Sequence, residues 1–117
     1  MLPALLLRQQ LEQADKKRKI LDVLYNSSQF EEWLSKFEQM GEIGKSGLGN
    51  EEPFIRFLNE TTGLSCGLLD DTTLFVSSVT GEITLPSWVT RYLIKITQNG
   101  NKYGDSVTAK DCLSALS

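Results

Sequence analysis

The chain has 117 residues, of which 40% are hydrophobic, 23% charged and 9% aromatic. That is the make-up of one globular domain, able to bury a core without help from a disulfide or a metal. The net charge of −3 argues against a protein that coats nucleic acid, and the absence of histidine removes every Ser–His, Cys–His and His–metal arrangement.

The opening Met1-Leu2-Pro3-Ala4-Leu5-Leu6-Leu7 is apolar, but it lacks a basic leader and Arg8 interrupts it. It predicts neither a signal peptide nor a membrane span. A cytoplasmic protein is expected, with Cys66 and Cys112 reduced and serving as small buried hydrophobes, because the two lack any metal-ligand spacing. No cofactor is expected.

Ala4 to Tyr25 is rich in Leu, Gln, Glu, Lys and Arg, without internal Gly or Pro, and reads as a first helix roughly 33 Å long. Leu7, Leu11, Ala14, Leu21 and Tyr25 share one face of it and form the expected apolar stripe, interrupted by Arg18. Leu2, Leu5, Leu6, Leu7 and Leu11 crowd more directions than one stripe requires, so residues 1–12 read as a docking segment that protrudes from its own domain.

Ser28-Gln29-Phe30-Glu31 has the spacing of a capping box and opens a second helix, whose stripe Phe30, Trp33, Leu34, Phe37 and Met40 faces the core until Gly41 ends it. Glu32 and Lys36 pair on its outer face. Gly41 to Asn50 reads as a glycine-rich loop. A third helix follows, capped by Asn50, with Glu51 and Glu52 at its positive end and Pro53 in the first turn; it buries Phe54, Ile55, Phe57 and Leu58 and stops at Gly63. Thr73–Val79 and Glu82–Leu85 alternate with a period of two across Thr80-Gly81, the pattern of a β-hairpin. Pro86-Ser87 starts a helix with Trp88, Val89, Tyr92, Leu93 and Ile96 on one face, ending near Asn99-Gly100. A polar loop from Asn101 to Ser106 leads to a last helix capped by Thr108, with Cys112, Leu113 and Leu116 inward. The expected fold is a helix-dominated α+β domain covering 1–117: three helices, one hairpin, then one or two helices. That order also suits a winged helix-turn-helix.

Chemistry is sparse. Gly41-Glu42-Ile43-Gly44-Lys45-Ser46 resembles a phosphate loop only superficially, because Gln39 stands where the first glycine is needed and a helix precedes it where a strand is required. Three acidic pairs, Glu31-Glu32, Glu51-Glu52 and Asp70-Asp71, cannot converge as acid and base, since helical neighbours point about 100° apart and the aspartates suit a turn. No catalytic, cofactor or metal site is expected. Lys16-Lys17-Arg18-Lys19 is the densest basic run, but four consecutive residues sweep about 300° of helix and make no flat phosphate-binding face. Between Phe57 and Thr90 there is no Lys or Arg, so the hairpin cannot act as a basic wing.

By elimination, the sequence points to a non-catalytic adaptor or subunit that mediates protein–protein assembly through Leu2, Leu5, Leu6, Leu7 and Leu11, with a protein partner or a second copy. The alternative is a nucleic-acid-associated accessory protein that contacts the phosphate backbone through Lys16–Lys19 and Arg91/Lys95.

Overall fold

The computed structural model describes residues 4–46, 51–98 and 105–117. Among the described residues, five helices and two small antiparallel sheets make a helix-dominated α+β fold. The elements run α1 (Ala4–Leu24), α2 (Ser28–Leu34), β1 (Glu42–Lys45), α3 (Pro53–Thr62), β2 (Cys66–Asp70), β3 (Thr73–Val76), β4 (Glu82–Thr84), α4 (Ser87–Gln98), β5 (Ser106–Thr108) and α5 (Ala109–Leu116). The molecule is elongated, 55 × 25 × 21 Å.

The core is aromatic, and Phe30 lies at its centre. Its ring meets Phe54 and Tyr92 edge to face at 5.6 and 5.2 Å and lies 5.2 Å from Phe57. The two edge-to-face contacts have the arrangement favoured by ring quadrupoles, and such pairs are worth about 0.5–1.5 kcal/mol each beyond the burial itself. Trp33 Nε1 donates to Glu60 Oε2 at 2.8 Å, so the indole is both buried and satisfied. Arg56 lies over the rings of Trp33 and Phe37 at 5.8 and 5.6 Å, closing this side of the core with a cation.

The predicted hairpin is present as β3 and β4, with Leu74 opposite Ile83. Sequence periodicity missed β2, which pairs with β3 so that Leu68 faces Leu74 and Cys66 faces Val76. The resulting three-stranded meander carries Leu68, Leu74 and Ile83 in one row against the core. The helix after the hairpin and the last helix appear with the expected inward residues: Val89, Tyr92, Leu93 and Ile96 are buried on α4, and Cys112 on α5. Thr108 caps α5 in a reciprocal capping box with Asp111. The stop expected at Asn99-Gly100 lies outside the described residues.

Between Ser27 and Pro53 four expectations are corrected. The capping box at Ser28 does not form. Ser27 is the residue before the helix and adopts helical φ and ψ, which leaves its side chain without a cap hydrogen bond, while the Ser28 amide donates to Asn26 Oδ1 at 2.9 Å. The second helix also ends at Leu34, not at Gly41. Beyond it the chain winds through tight turns, Lys36 N to Trp33 O and Phe37 N to Leu34 O, which leave Met40 73% exposed.

The supposed glycine loop contains β1, which pairs with β5 through Gly44 opposite Val107 and Lys45 opposite Ser106. A strand whose partner lies some 60 residues onward gives no local signal, and its glycine is required by close packing. A Cβ on Gly44 would stand 2.2 Å from the Glu51 carbonyl oxygen. The remainder of that loop, residues 47–50, lies outside the described residues.

The cap of α3 is Glu52, not Asn50, which is outside the described residues. Pro53 occupies the first helical position and holds Glu52 extended at φ −65°, ψ 131°, so that its carboxylate accepts from the amides of Phe54 and Ile55. At the other end Gly63, by which the sequence predicted the helix to stop, adopts φ +71°, in the left-handed region.

Candidate functional site

The long first helix is present over Ala4–Leu24, but its stripe faces the other way. Leu7, Leu11, Ala14, Leu21 and Tyr25, expected to face the core, are all exposed. The body is met instead by Ile20, Val23 and Leu24, on the opposite side of the helix. Only the C-terminal end of α1 is therefore built into the core. Trp88 Nε1 of α4 donates to the Leu24 carbonyl at 2.9 Å, and one turn before Lys17 the Gln13 side chain accepts from the Thr80 amide at 3.4 Å.

N-terminal to Gln13 the helix runs clear of the body. Leu5, Leu7 and Leu11 are 67, 50 and 59% exposed, and Leu6 is exposed as well. These four are the docking residues named from sequence; the fifth, Leu2, lies outside the described residues. Around the helix axis Leu5 and Leu6 continue the side of Ile20, Val23 and Leu24 past the end of the body, while Leu7 and Leu11 belong to the outward side. The surplus of leucines thus forms a two-sided apolar projection.

The basic residues are not gathered into one surface. Lys17, Arg18 and Lys19 are exposed and Lys16 is half-buried, spread around the helix, with Arg18 paired to Asp15 at 3.1 Å. On α4, Arg91 is exposed, and Lys95 donates to the Ser117 carbonyl oxygen beside a small hollow of about 150 Å³ lined by Ser27, Trp88 and Arg91.

The chemically distinctive group is one that sequence reading treated as a helix-end charge and as half of an acidic pair unable to converge on a substrate. Glu52 is buried. One carboxylate oxygen accepts from the Phe54 and Ile55 amides at 2.7 and 3.2 Å, and the other accepts from the Tyr92 hydroxyl at 2.9 Å. Burial outweighs these hydrogen bonds and pushes the Glu52 pKa up to about 7. Tyr92 Oη also lies 3.3 Å from Cys112 Sγ. Burial is the main reason that both are held high, the phenol well above its ordinary value and the thiol at about 12.

This chain of three groups ties α3, α4 and α5 together. Glu52 lines a cleft of about 260 Å³ with Leu68, Asp70 and Thr97, but both of its oxygens already accept hydrogen bonds. Cys66 is likewise a buried free thiol, pushed up to about 11 by burial, which leaves it a poor nucleophile. The signal that could have found Glu52 is Pro53: a proline at the first helical position makes the residue before it the cap.

Among the described residues, no group of His, Cys, Asp or Glu is placed to hold a metal ion, and no helix is long and apolar enough to cross a membrane. No family model matches this chain, and no curated protein or solved structure matches it. The winged-helix likeness of its element order therefore has no structural neighbour behind it.

Proposed function

We propose that this chain is a non-catalytic adaptor or subunit of the cytoplasm that assembles with another protein through the N-terminal half of α1. The observation that carries this reading is the exposure of Leu5, Leu7 and Leu11 (67, 50 and 59%) on a helix whose buried residues all lie at its other end. Scattered exposed leucines are ordinary, but four within two turns, on both sides of a projection that leaves the body behind, present apolar surface of the kind that marks docking sites. Two buried, unpaired cysteines agree with a reducing compartment.

The test compares the full chain with a chain lacking residues 1–12. Proteins retained by the tagged full chain are identified, purified and titrated against both forms. The reading expects the shortened chain to stay folded and to lose on the order of 100-fold or more in affinity, as removal of several buried anchors from an interface does. Equal affinity of the two forms, or a shortened chain that unfolds, overturns it.

A further inference from the structure

The outward side of α1 carries a period that the body does not use. Ala4, Leu7, Leu11, Ala14, Arg18 and Leu21 follow one another in steps of three and four, and Tyr25 takes the next step. An average spacing of about 3.5 residues is that of a coiled-coil seam. Every one of these residues is exposed. The body holds the helix from the opposite side, through Ile20, Val23 and Leu24, so among the described residues the seam is left open to a second helix.

We propose that the seam pairs with the same seam of a second copy, as an antiparallel two-helix coiled coil whose two-fold axis passes between Glu12 and Gln13. This rests on the assembly reading above and names its occupant. The choice of a second copy follows from self-complementarity. In this register Leu11 meets Ala14 of the second copy, Ala4 meets Leu21, and Leu7 meets Arg18. Each alanine faces a leucine, which evens the volume from layer to layer, and Arg18 lays its aliphatic stem along a leucine with its charge at the rim.

The flanking positions agree. Arg8 comes opposite Asp15 of the second copy, an attractive pair formed twice by symmetry, while Gln10 comes opposite Lys17. A parallel pair is worse on both counts. It stacks Arg18 on Arg18 and Ala14 on Ala14, a like-charge layer beside an underfilled one, whereas antiparallel helices also set their dipoles head to tail. The strip from Ala4 to Leu21 is roughly 27 Å long and about 10 Å wide, a few hundred Å² on each copy. That falls short of the roughly 800 Å² per partner of a standard interface, so the dimer is reversible and concentration-dependent.

Sedimentation equilibrium of the full chain between ~10 μM and ~1 mM reads the association directly. The expected result is a monomer–dimer equilibrium that Leu11→Asp weakens on the order of 100-fold or more, because each dimer takes up two buried charges. Leu69→Asp, at an exposed leucine outside the seam, leaves it unchanged. Circular dichroism checks that both variants keep the fold.

Orientation is read by mixing chains that carry Leu7→Cys with chains that carry Arg18→Cys under mild oxidation. The antiparallel register gives the mixed disulfide, and a parallel pair gives a homodisulfide from each chain alone. Homodisulfides alone overturn the proposal, and so does an equal effect of Leu69→Asp. A full chain that stays monomeric at ~1 mM also overturns it, while the assembly reading then stands or falls separately, on the affinity of a purified partner for the chain with and without residues 1–12.

Discussion

Two regions of this molecule use the same class of residue to opposite ends. Phe30, Phe54, Phe57 and Tyr92 are brought together from three helices and are fully buried, whereas Leu5, Leu7 and Leu11 lie close together on one helix and stay in water. Neither hydrophobicity nor local spacing separates the two sets. What separates them is the presence of a non-local partner: each aromatic ring finds another element across the core, while α1 before Gln13 passes beyond the reach of the other described elements. Apolar side chains in the first set hold the fold, and in the second they are free to be covered by something else.

The sharpest way to break this comparison is truncation on both sides of it. Phe30→Ala removes the ring shared by five aromatic neighbours and is expected to cost about 3–5 kcal/mol in chemical denaturation. Trp33→Ala, which also strands the Glu60 hydrogen bond, belongs in the same range. Leu11→Ala, measured at concentrations where the chain is monomeric, is expected within about 0.5 kcal/mol of the parent. Similar costs on the two sides would show that α1 is core along its whole length.

A second, smaller effect separates the two regions by pH. Glu52 rises from 4.5 to about 7 on folding, so between these values the folded chain keeps a proton that the unfolded chain has released. Stability contributed by this group is therefore full below pH 4.5, falls as pH rises to about 7, and is level above. Glu52→Gln keeps an acceptor for the Phe54 and Ile55 amides and offers its own amide to Tyr92, without a charge to bury. The expectation is a variant matching the parent near pH 4 and more stable at pH 8, by an amount on the order of 3 kcal/mol. Denaturation midpoints of both proteins across that range check it; a constant difference between them would show that Glu52 does not titrate there. Leu11→Asp, in the monomer, is expected to leave this profile unaltered.

Thr108→Ala probes a purely local device. Loss of the capping box with Asp111 is expected to cost roughly 1 kcal/mol, and thermal unfolding reads it. Smallest of all, Lys36→Ala is expected below about 0.5 kcal/mol, since Lys36 is exposed and lies past the end of α2. A larger cost would mean that the turn after α2 depends on this side chain.

The features legible from sequence are those whose physics is contained in a few neighbouring residues. The Thr108 cap, the glycine stop at Gly63, the alternation of Thr73–Val76 and the inward face of α4 all follow from local donors, backbone freedom or the period of one element. The helical character of Ala4–Leu24 is of the same kind, and so is the surplus of leucine at its start. Tertiary structure decided the rest. Which side of α1 meets the body depends on where Trp88 and α3 stand, not on which side is more apolar. Strands β1 and β5 exist because each supplies the other's hydrogen bonds across most of the chain. Glu52 is a buried cap rather than a surface charge because Tyr92 closes over it from another helix. Local spacing fixes what a segment can become, but burial is a property of pairs of segments, and no single stretch of sequence contains both members.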